Sequence, residues 1–186
     1  MSRDPFTDFV REALTALPEH LKETLRLVDD PDIPDEGRAL AAGVLLHWLS
    51  GQNTIPGIPG GMLSLVDDAL MLRLTYERLQ QLAPEPMARH MAASPELFGE
   101  LDAELAVMRE GLGDGMKVLD KALDKLPSMK HHGLVAKQCV NDEEEGTVLY
   151  EEVQSALVDL EPEEDEINRA LKDLGRALEN LRRRAG

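Results

Sequence analysis

The sequence is poor in cysteine, in aromatics and in cationic side chains, and it has no long apolar run. One cysteine, Cys139, cannot build an intramolecular disulfide framework, and its isolation fits a reducing compartment. Aromatics make up 3% of the chain, too few for a base-stacking platform. The longest mostly apolar stretch, 39–49, is interrupted by His47 and falls short of the ~20 residues that a membrane-spanning helix needs. The next one, 62–72, carries Asp67 and Asp68 in its middle. Residues 1–9 hold charges and no apolar core of a secretory signal. These absences predict a cytoplasmic, membrane-free protein. Lys and Arg number 20 against 36 Asp and Glu, a net charge of −16, which repels nucleic-acid phosphates and anionic lipid and favours a basic partner.

What the chain does have is helical periodicity. Phe6, Val10, Leu14, Leu17, Leu21, Leu25 and Val28 step by four or three residues along one stripe. Pro18 lies inside that stripe and predicts a break at Leu17, with a second helix opening at the proline. Asp35 is the expected N-cap of a helix reaching Ser50. A Gly- and Pro-rich loop, 51–61, separates it from a helix over 62–82, which stops ahead of Pro84. Ser94-Pro95 predicts a further start, with Leu97, Leu101, Leu105, Met108 and Leu112 on one face of a single helix. Asp114 is the expected cap of a shorter helix bearing Leu119, Leu123 and Leu126.

The C-terminal third differs in composition. Residues 127–133 are the expected linker, and 134–140 fit either a strand or a helix. Residues 142–166 hold twelve acids and no Lys or Arg. They predict an acidic turn, a helix over 147–160 and a last helix opened by Pro162. In that helix Ile167, Leu171, Leu174, Leu178 and Leu181 form a short seam flanked by Ala170, Gly175 and Ala177. Small flanks favour packing within a bundle over an extended zipper. The predicted fold is therefore all-α: a multi-helix bundle around a central helical hairpin, with a C-terminal two-helix extension. Its parts are a helical domain over 1–126 with the hairpin at 33–83, a linker and acidic turn over 127–146, and a helical pair over 147–186 packing on the main domain.

One loop carries chemistry. His47-Trp48-Leu49-Ser50 runs into Gly51-Gln52-Asn53-Thr54-Ile55-Pro56-Gly57-Ile58-Pro59-Gly60, and Leu65-Val66-Asp67-Asp68-Ala69 follows. Over 33–79 this resembles the YkvA-like bacterial domains of unknown function, whose pattern is Leu-Ser-Pro, an Asp, Ile-Pro-Asp, a second Pro, a Gly and a paired Asp-Asp. Leu49, Ser50, Ile55, Pro56, Pro59, Asp67 and Asp68 match it. Gly51, Asn53 and Gly57 depart from it, which removes two loop carboxylates. The resemblance implies a helical hairpin; if the family uses those acids for a metal or a proton, their loss implies that this chain lacks that chemistry.

The residues themselves argue as follows. Met62, Leu65, Ala69, Leu72, Tyr76 and Leu79 form one stripe, while Asp67 falls among Leu63, Leu70 and Leu74. Such a helix is apolar nearly all round, and a carboxylate in it must find donors or a cation, or shift its pKa upward. Asp67 and Asp68, with Asn53 and Ser50, are thus the candidate site. Either loop N–H groups pin the hairpin, with Arg38, His47 or Arg73 as charge partners, or the loop and the acid pair hold a small ligand or cation. An acid/base pair would need a nucleophile or third group, and none is identifiable.

Other patterns are weaker. Residues 141–152 place Gly146 and Glu152 at positions six and twelve of an EF-hand-like loop, yet begin with Asn141. His131, His132 and Cys139 could supply soft ligands without a zinc spacing. Met87 and Met91 beside His90 suit a core gap. No phosphate loop, dinucleotide motif or hydrolase motif is present. The sequence predicts a non-enzymatic interaction or regulatory protein without cofactor or resident metal, as a monomer or small homo-oligomer, with a small-ligand domain centred on Asp67 and Asp68 as the alternative.

Overall fold

The computed structural model describes residues 4–186, and they form a helical bundle. The first stripe divides into α1 (Pro5–Thr15) and α2 (Leu17–Asp29). The break falls at Ala16, one residue ahead of its expected place, so that Pro18 sits in the first turn of α2, where its missing N–H is harmless. Then come α3 (Asp35–Ser50) and α4 (Ser64–Leu82), the two arms of the hairpin. Pro34 rather than Asp35 occupies the cap of α3; Asp35 lies in the first turn, where its charge complements the helix dipole.

Three local readings need correction. Residues 84–93, for which the sequence suggested no element, form α5 (Pro84–Ala93). The single helix expected from Pro95 is two pieces, α6 (Pro95–Phe98) and α7 (Leu101–Leu112). The break follows Gly99, a weak helix former, and Phe98 turns inward against Tyr76 with ring centroids 5.0 Å apart. Asp114 lies in a 3₁₀ turn over Gly113–Gly115 ahead of α8 (Met116–Leu123), and its carboxylate takes Lys117 Nζ at 3.0 Å instead of capping.

The stretch expected as a linker is ordered and packed. A 3₁₀ turn over Leu126–Ser128 leads into β1 (Lys130–His131) and β2 (Leu134–Val135), an antiparallel pair with Lys130 opposite Val135 and His131 opposite Leu134. Residues 134–140 are thus strand first and helix after, because α9 (Ala136–Asn141) follows directly. Gly43 explains the docking: a β-carbon there would lie 2.0 Å from Leu126 O, so only glycine lets this turn rest on α3.

The acidic turn is the first turn of a helix, α10 (Glu143–Val158), capped by Asp142, whose carboxylate accepts Glu145 N–H at 3.0 Å. Gly146 lies inside that helix, so residues 141–152 cannot wrap an ion as an EF-hand loop does. Last comes α11 (Glu164–Ala185), which buries Ile167, Ala170, Leu174, Ala177 and Leu181 against α1, α8 and the turn at Gly115. No helix among the described residues is long and apolar enough to cross a membrane. α3 and α4 are buried on nearly every side, from Ala39 to His47 and from Val66 to Tyr76.

Candidate functional site: a buried carboxylate pair beside a cationic cleft

The site begins where α3 ends. Gly51 adopts φ 66°, a left-handed cap, and its N–H returns to Trp48 O at 3.1 Å. Ser50 Oγ donates to His47 O at 2.7 Å and accepts Gln52 N–H at 3.2 Å, which folds the loop back toward His47. The loop then crosses to α4, whose first turn delivers Asp67 and, next to it, Asp68.

The two carboxylates meet the loop and the ring of His47. Asp67 Oδ2 accepts Thr54 N–H at 3.0 Å and lies 3.4 Å from His47 Nε2. Asp68 Oδ1 lies 3.0 Å from His47 Nδ1. Thr54 Oγ1 stands 3.4 Å from His47 Nε2. Of the three cations considered as partners, His47 alone reaches the pair. Arg38 Nε donates to Val28 O at 2.7 Å, and Arg73 forms a bidentate pair with Glu104, both contacts at 3.2 Å. Asn53 Oδ1 is buried without a partner, and neither Asn53 nor Ser50 bonds to the carboxylates.

Burial pushes both carboxyls upward, Asp68 to about 6; the bond and charge of His47 pull the other way, and Asp67 adds to the rise. Burial also works against a charged ring at His47, but the bond to Asp68 and the charges of both aspartates outweigh it and raise the imidazole above its ordinary range. The ring is thereby held between two acids that favour its charged form. Asp67 Oδ1, without any partner, marks the excess of acceptors. One ligand atom each from His47, Asp67 and Asp68 also lies within 4.8 Å of the other two, so the buried trio has the spacing of a metal-ligand set, while in this arrangement Nδ1 and Nε2 face different carboxylates. His47 is the one cationic type of side chain that reaches both carboxylates.

A cleft of about 460 Å³ opens beside it. His47 and the loop residues Gln52, Asn53 and Thr54 form one wall. Val118, Ala122, Leu126 and Met129 supply an apolar side, and Lys121, Lys125 and Arg184 stand at the exposed rim. These three cations come from segments far from the loop in sequence, so the loop motif did not point to them. The visible signal was Lys121 and Lys125 at helical spacing on one face.

No family model, curated protein or solved structure matches this chain. The site therefore has to be read from its own chemistry. Among the described residues the other metal-ligating side chains are arranged differently from their sequence grouping. His131 and His132 gather with Glu152, while Cys139 is buried and its thiol is pushed up to about 11 by that burial and by Glu145. His90 is held by Glu23 at 2.8 Å and Asp30 at 2.9 Å, and Met87 fills the core beside it.

Proposed function

We propose that this protein is a non-enzymatic helical binding module that takes a small anionic molecule with an apolar portion in the cleft beside His47. On this reading the 33–79 hairpin is a YkvA-like scaffold in which Asp67, His47 and Asp68 fix the loop as one wall. The observation that carries the proposal is the rim. In a chain of net charge −16, Lys121, Lys125 and Arg184 converge on one opening, and none of the three enters an ion pair among the described residues. Converging like charges repel, and an anion between them removes that cost. The apolar side offers a place for a short hydrocarbon segment.

Titration calorimetry with octanoate and, separately, pyrophosphate tests this. Saturable binding is expected for at least one, weakened at least ~10-fold by Lys121→Met with Lys125→Met, since a charge-assisted hydrogen bond contributes about 1.5–3 kcal/mol. Absence of binding by both anions, or binding indifferent to the double substitution, overturns the proposal.

A second reading, partner binding, rests on α10. Its outer face exposes Val148, Tyr150 and Val158, the last 76% exposed, among the acids of 142–166. Apolar side chains ringed by one sign of charge suit a basic protein surface. Capture from lysate at low and high salt should retain a salt-sensitive partner that Tyr150→Ser with Val158→Ser releases; a partner unaffected by both changes counts against this face.

A further inference from the structure

The turn joining β1 to β2 has an unusual residue for its backbone. Only His132 and Gly133 separate the paired residues His131 and Leu134, and their φ angles are 49° and 80°. Two positive φ values define a type I′ hairpin turn, which favours Asn-Gly or Asp-Gly. His132 is the one non-glycine residue with positive φ among the described residues. A β-carbon in that region is sterically disfavoured, and such positions gather at functional sites.

That backbone brings the two imidazoles together. The rings of His131 and His132 stack with centroids 3.7 Å apart and planes 28° apart. Glu152 approaches from α10, with Oε2 3.6 Å from His132 Nδ1, too long for a hydrogen bond. One ligand atom from each of the three residues lies within 4.8 Å of the other two. Donors bound to one ion at about 2.0–2.2 Å stand only a few ångströms apart, so small side-chain rotations suffice to converge them.

We propose that His131, His132 and Glu152 form a site for a divalent transition-metal ion of the zinc class, with the remaining coordination positions open to water. Two nitrogens and one carboxylate are a ligand set that zinc accepts, whereas magnesium and calcium prefer oxygen alone. The acidic field of the chain draws cations generally; the paired imidazoles select among them. An ion there ties the β1–β2 turn to α10. The cleft beside His47 plays no part in it.

The test uses the full, untagged chain, stripped with a chelator and titrated with ZnCl₂ and, as a control, MgCl₂. One Zn²⁺ per chain is expected, with Mg²⁺ unable to displace it. His132→Asn suits the I′ turn better than histidine does, so it removes a ligand while sparing the fold. Glu152→Gln removes the third ligand without touching the turn. Each should weaken Zn²⁺ binding at least ~10-fold, and the melting midpoint of metal-free His132→Asn should equal or exceed that of the parent. Failure of the parent to bind Zn²⁺, or binding that survives both substitutions unchanged, overturns the site.

Discussion

His20 and His47 are the same side chain at similar burial, 2% and 6% exposed, and their surroundings push their pKa in opposite directions. His20, on α2, has Nδ1 3.3 Å from Tyr76 Oη and packs its ring against Tyr76 and Phe98. Burial, followed by the charge of Arg73, pushes it down to about 3, and it stays neutral. His47 loses water as well, yet two aspartates raise it. Burial sets the cost of charging an imidazole; the partners decide whether that cost is met. His20 is a core residue with a polar edge, and His47 is a counter-ion.

The sharpest way to break the comparison is to remove each ring. His47→Ala strands Asp67 and Asp68 without their cation, and breaking a buried pair in this way costs about 3–5 kcal/mol. His20→Phe should cost less, about 1–2 kcal/mol, because Tyr76 Oη keeps Thr24 Oγ1 and the residue-20 carbonyl as partners. Urea denaturation of both variants measures this, and equal losses would mean that His47 is not the counter-ion. Double replacement of the aspartates by asparagine should shrink the penalty of His47→Ala, as expected for a coupled cluster.

Acidity sharpens the same contrast with less effect on stability. The folded pKa of His20 lies near 3 against 6.5 unfolded, so the unfolded chain binds the extra proton and stability falls as pH drops from 6.5 toward 3. His47 has the opposite sign: its contribution is fully present below 6.5 and is lost as pH rises through its raised folded value. Asp68, raised from 3.8 to about 6, likewise loses stability as pH rises across that window. Imidazole resonances followed by NMR should show one buried ring titrating above 6.5 and another silent down to pH ~4. Two buried rings with midpoints near 6.5 would erase the difference between His20 and His47.

Much of this was legible in the sequence, and the reasons differ by place. The hairpin could be read because α4 is apolar on every side and its two acids interrupt the pattern. The residue that answers them could be shortlisted but not chosen, since His47, Arg38 and Arg73 are all near in sequence and only the fold shows Arg73 turned to Glu104. Asp35 and Asp114 have capping chemistry but lie one residue out of position, where a proline and a glycine pair set the backbone first. The helix expected over 147–160 begins earlier, at Glu143, so that the acidic turn is its first turn; the missing β-carbon of Gly146 clears Cys139 O, 2.8 Å from where that carbon would stand. The spacing of Lys121 and Lys125 was visible, but their meeting with Arg184 was not, because the rim joins a loop, the end of α8 and the last turn of α11.

The contact at Gly43 also determines how the molecule can be divided. Leu126 and the residues after it lie on α3 with no more room than a hydrogen atom allows, and α9 covers the same helix. A fragment cut ahead of Leu126 would leave a helix of alanines, valine and leucines facing water, a surface that invites aggregation. Recombinant work on the cleft is therefore work on the whole chain. Cys139, buried in α9 at 4% exposure, gives such preparations an internal reporter. Slow thiol labelling would certify that the cover is in place, and fast labelling would reveal that it has lifted.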